Sequence, residues 1–91
     1  KEAAAWKFEE AHFNAVGYRL LSEKRPADAV KVFTLGTELF PENGNPWDSL
    51  GEALLVEGEK EKAIAAYRRS VGLDPKNRSG AEMLEKLTKA P

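Results

Sequence analysis

The stretch Asn45-Pro46-Trp47-Asp48-Ser49-Leu50-Gly51-Glu52-Ala53-Leu54 decides the fold, because its pattern has already occurred once in the chain. Trp47, Leu50, Gly51 and Leu54 stand 34 positions after Phe13, Val16, Gly17 and Leu20, and Ala63, Tyr67 and Pro75 stand the same distance after Ala29, Phe33 and Pro41. A fixed step of this size marks stacked structural units, each too small to bury its own apolar face.

Every matched position has a physical role in a pair of helices. Gly17 and Gly51 leave room for a second helix to approach, and Ala29 and Ala63 on that helix meet them, so the pair packs closely. Phe13 and Trp47 fill the space between neighbouring helices, while Phe33 and Tyr67 project from the second helix of each pair into the same layer. Pro41 and Pro75 close the units, since proline cannot continue a helix.

Working outward, the spacing predicts five helices. The first runs from about Ala3 to Ser22 with Phe13, Val16, Leu20 and Leu21 as its apolar stripe. Pro26 opens the second, which ends near Leu39. Asn45, backed by Pro46, is the expected cap of a third helix reaching about Glu57, and Gly58 ends it. Lys60 to Leu73 form the fourth. The fifth, from about Ser79 to Lys89, sets Ala81, Leu84 and Leu87 on one side against Glu82, Glu85, Lys86 and Lys89, the composition of a terminal cap with a polar outer face.

An aromatic, then an aliphatic-Gly pair, then Ala-x-x-x-aromatic and Pro at this period resembles the tetratricopeptide (TPR) repeat. The resemblance implies an all-α fold, a helix-turn-helix solenoid of two repeats plus a C-terminal capping helix, coiled in the right-handed superhelical sense of that family. The extents are residues 1–9 for an extension of the first helix, 10–43 and 44–77 for the repeats, and 78–91 for the capping helix and tail.

Composition bounds the function. The 91 residues carry 14 basic and 15 acidic side chains, a net charge of −1, which disfavours a nucleic-acid face built on phosphate neutralisation and equally an anionic-membrane surface. No apolar run reaches the roughly 18 residues of a membrane span, and no basic-then-apolar signal segment opens the chain. The first residue is Lys1, so a piece of a longer protein is expected, and the compartment stays open: cytoplasm, or periplasm and exterior if the neighbour is a secreted enzyme. Without cysteine there is no disulfide and no thiolate metal site.

Catalytic motifs are missing. There is no Gly-x-Ser-x-Gly elbow, Ser-x-x-Lys, phosphate loop or dinucleotide fingerprint. His12 is the single histidine and reads as a solvated helix-surface residue. The expectation is a non-catalytic piece with no cofactor and no metal.

Function in a TPR resemblance implies the concave surface lined by the first helix of each repeat. Carried over residue by residue, the peptide-contacting positions are Asn14, Tyr18 and Leu21 in the first repeat, Asp48, Ser49, Glu52 and Leu55 in the second, and Met83 and Lys86 from the cap. The Lys/Asn/Asn/Lys/Arg carboxylate clamp of chaperone-binding TPR proteins is not matched by Asn14, Tyr18, Ser49, Ser79 and Met83. Instead Asp48 and Glu52, one turn apart and flanked by Tyr18, Leu55 and Met83, favour a peptide offering Lys, Arg or an amino terminus beside an apolar side chain. The opposing reading makes these ordinary exposed positions in a spacer. Trp6 and Phe8 precede the periodic region; either Trp6, seven residues before Phe13, extends the core over the second helix, or both serve an interdomain or self-association contact, with the chain otherwise monomeric or only weakly dimeric.

The runs Asn14-Ala15-Val16-Gly17-Tyr18-Arg19-Leu20-Leu21, Leu39-Phe40-Pro41 and Asn45 to Ala53 look like the TPR tail that follows the catalytic domain of bacterial serine hydrolases of beta-lactamase-like or esterase type. That resemblance implies a structural appendage packed on its own upstream domain as the alternative to a module binding a partner in trans.

Overall fold

A computed structural model of the protein describes residues 2–89, with side-chain surroundings described from residue 9 onward. It contains α1 (Glu2–Ser22), α2 (Pro26–Leu39), α3 (Gly44–Val56), α4 (Lys60–Leu73) and α5 (Arg78–Thr88), with no strand among the described residues. Each helix packs on the next in chain order, and α1 also touches α3, so the layers stack in one direction into a slab of 47 × 30 × 17 Å. This serial packing is that of an α-solenoid.

The repeated small residues sit where the helices come closest. A Cβ added at Gly17 would clash with the Phe33 ring, and one at Gly51 would come within 2.8 Å of the Tyr67 ring. Phe33 and Tyr67 are in turn buried with Ala29, Leu50, Ala53, Leu54, Ala63 and Ala66 in one core running through both repeats. The aromatic on the second helix therefore uses the space that the glycine on the first leaves open.

The turn between paired helices is also repeated bond for bond. Arg25 N–H donates to Leu20 O and Lys24 N–H to Leu21 O, as Glu59 N–H does to Leu54 O and Gly58 N–H to Leu55 O. This is the two-bond C-terminal cap that needs one left-handed residue. Gly58 supplies it at φ 83, and Lys24 supplies it at φ 62 despite carrying a side chain.

Three expectations are corrected. Val16 is 37% exposed although its counterpart Leu50 is 8% exposed, because α2 covers Leu50 and no helix among the described residues covers Val16 from the equivalent side. Leu35 and Leu39 on α2 are also exposed. Asn45 does not cap α3; the helix starts at Gly44 behind Asn43, whose side chain donates to Glu10 rather than capping. The first-turn N–H groups have no intrahelical partner, so Pro46 fits anywhere in that turn and does not fix the cap. Finally, Ala81 is exposed. Asn77 caps α5 by accepting from Gly80 N–H at 3.0 Å, and a Cβ at Gly80 would strike it. That contact turns the buried Gly80 and the half-buried Met83, Leu84 and Leu87 toward the core, at i, i+3, i+4 and i+7.

Candidate functional site

Asp48 and Glu52 lie one turn apart on α3, on the other side of that helix from Trp47, Leu50 and Leu54. The 34-residue step brings Tyr18, the counterpart of Glu52, beside it. The Tyr18 hydroxyl donates to Glu52 Oε1 at 2.8 Å. Its ring rests edge-on against Phe33, with centroids 5.2 Å apart, so the phenol is anchored from below. From the next layer α5 adds Ser79 and Met83, and α4 adds Tyr67. Asp48, Glu52, Tyr67, Ser79 and Met83 line an open depression of about 280 Å³.

The electrostatics of this depression are unfavourable to more negative charge. Burial, with the neighbouring charges of Glu52 and Asp48, pushes the Tyr18 phenol up to about 12, although a hydrogen bond with Ser49 pulls the other way. Tyr67 is raised by burial and by the same two carboxylates. Asp48 is raised above the ordinary carboxylate range by burial and then by Glu52, with Asn77 opposing. Neither Asp48 nor Glu52 is in an ion pair among the described residues. A cation entering the depression would offset the desolvation cost of the carboxylates and their mutual repulsion.

The other sequence-derived positions distribute around this centre. Ser49 is 2% exposed and its hydroxyl donates to Asn14 Oδ1 at 2.6 Å, so this pair ties α3 to α1 and offers little free surface. Leu21 and its counterpart Leu55 are half-buried against the core. Met83 packs on the core and also lines the depression. Lys86 is not among its lining; it sits with Glu82, Glu85 and Lys89 on the polar face of α5. Trp6 and Phe8 fall outside the residues whose side chains are described.

Sequence reasoning assigned Tyr67 to the core and missed its place in the depression. The signal was the hydroxyl that distinguishes it from its counterpart Phe33. His12 is exposed on α1, and the described residues hold no group of three or more His, Cys, Asp or Glu able to hold a metal. No described helix is long and apolar enough to cross a membrane.

No family model matches the chain. It is similar to the UDP-N-acetylglucosamine--peptide N-acetylglucosaminyltransferase of Giardia intestinalis, 32% identical over 77 residues. The chain is built of TPR-like helical repeats. The similarity covers 82% of this chain but 5% of that protein, so it bears on the TPR-like stretch and not on the relative as a whole.

Proposed function

We propose that the chain is a non-catalytic TPR module that binds a protein or peptide on the face formed by α1, α3 and α5, and that its ligand presents Lys, Arg or an amino terminus beside an apolar side chain. The observation that carries this reading is the acidic depression, in which two carboxylates without ion-pair partners lie beside the exposed Tyr18 and the Met83 thioether. Charge complementarity sets the sign of the partner, and the aromatic and sulfur groups supply the apolar part of the contact. The similar stretch in an enzyme whose name gives a peptide as its acceptor fits a peptide-engaging role here. No nucleic acid or membrane partner is part of the reading.

Fluorescence anisotropy of a labelled, blocked peptide containing Arg-Leu and Lys-Leu pairs tests it. Binding of micromolar or weaker strength that falls as salt rises is expected, with loss in the Asp48→Lys, Glu52→Lys double variant. Binding indifferent to the charge reversal would remove the acidic depression from the account.

A second reading has its own support. Val16, Leu35 and Leu39 leave apolar surface on α1 and α2, which suits an appendage resting on a neighbouring catalytic domain, as the motif resemblance to bacterial hydrolase tails implies, or on a second copy of the chain.

A further inference from the structure

The side of α3 turned away from Asp48 and Glu52 forms a second feature. There α2 and α4 both pack on α3 without packing extensively on each other, and an open trough of about 370 Å³ runs between them. Its floor is Trp47, Leu50 and Leu54; Val30 stands on the α2 side, and the small Ala65 and Ala66 on α4 leave it unfilled. Leu50 and Leu54 belong to the core, so the floor is rigid and the trough is built into the stack. Its volume is that of sites that take a large side chain or small ligand.

Its charge is of one sign. Lys62 is the single charged residue of the lining, and two turns further along α4 Arg69 holds its guanidinium 5.6 Å over the Trp47 ring. Neither cation is in an ion pair among the described residues. An apolar floor with a cation toward each end complements a bulky apolar side chain with a carboxylate next to it. The trough is open along its length, a shape suited to a side chain projecting from an extended or helical segment rather than to a swallowed acyl chain.

We propose that this trough docks an acidic-apolar peptide segment, separately from the basic ligand of the opposite face. Because Trp47 and Asp48 point to different sides of α3, the two ligands do not compete, and each face has charge opposite to its partner.

The test titrates a blocked hexapeptide carrying glutamate followed by leucine and phenylalanine into the isotope-labelled chain, with its glutamine counterpart and free 3-phenylpropanoate as separate arms. Expected are saturable shifts of the Trp47 indole N–H and of the Val30, Thr34 and Ala65 amides. The glutamine peptide and Lys62→Glu should each weaken binding about three- to tenfold, as loss or reversal of a partly exposed charge contact does. Ala65→Gln, at an exposed position that leaves the core intact, should abolish it by filling the trough. Shifts confined to other surfaces, equal binding of the glutamine peptide, indifference to Ala65→Gln, or 3-phenylpropanoate binding as tightly as the peptide would each overturn the proposal. Lys62→Glu should leave the basic peptide's binding unchanged, which separates failure here from failure of the acidic depression.

Discussion

Asp48 is held where ionisation is disfavoured, by burial and by Glu52. Its folded-state pKa lies above its unfolded value, so the folded chain binds the extra proton and stability falls as pH rises through the interval between the two. Asp48→Asn should therefore melt higher than the parent at pH 7, and the difference should shrink as pH is lowered below the ordinary carboxylate range of about 4. A thermal melt series across pH checks this; a gain independent of pH would point to packing instead of charge. The same sign applies to Tyr18. Its phenol, raised to about 12, keeps its proton in the folded chain beyond the ordinary value, so the stability tied to it is present below about pH 10 and lost as pH rises toward 12. Both tyrosines are raised, so ultraviolet titration of Tyr18→Phe should lose the phenolate that forms near 12 and keep that of Tyr67. A carboxylate kept at the expense of stability fits a binding role, since function often retains what folding alone would discard.

At the scale of the helices, the repeat itself supplies internal controls. A Cβ at Gly17 meets Phe33 more closely than one at Gly51 meets Tyr67. Gly17→Ala should accordingly destabilise more than Gly51→Ala, both within about 1 to 3 kcal/mol by overpacking, as read from denaturant midpoints. The reverse order would mean that Phe33 swings aside more easily than Tyr67. Lys24 and Gly58 are equivalent left-handed residues in identical hydrogen-bonded turns. Lys24→Gly removes a left-handed penalty of about 1 to 2 kcal/mol and adds a glycine entropy cost of about 0.5 to 1 kcal/mol, so a net gain of up to about 1.5 kcal/mol and a rise of a few degrees in Tm are expected. Helix number and the closely packed glycines were legible from sequence because a doubled pattern overdetermines them. The start of α3 was not, since Pro46 is tolerated throughout a first turn, and the facing of α5 was not, since it depends on Asn77 reaching Gly80 across the turn.

At the scale of the molecule, the stack places unlike surfaces on the two sides of α3. The acidic side was legible in part: Asp48, Glu52 and Tyr18 share a face by helical spacing and repeat register alone. Two finer points were not legible. Ser49, on the expected contact face, is buried as a tie to Asn14, and Tyr67, in the core as expected, also lines the depression. Such distinctions depend on how one layer rotates against the next, which a single repeat does not encode. Exposure of Val16 likewise follows from its being in the outermost described layer rather than from its residue type. The central claim is that the face carrying Asp48, Glu52 and Tyr18 receives a basic-apolar peptide, and mapping amide shifts while titrating that peptide tests it most directly. The account predicts perturbations concentrated at Tyr18, Asp48, Glu52, Ser79 and Met83 that fade with added salt. Perturbations confined to the exposed apolar residues of α2, with none along α3 or α5, would contradict it.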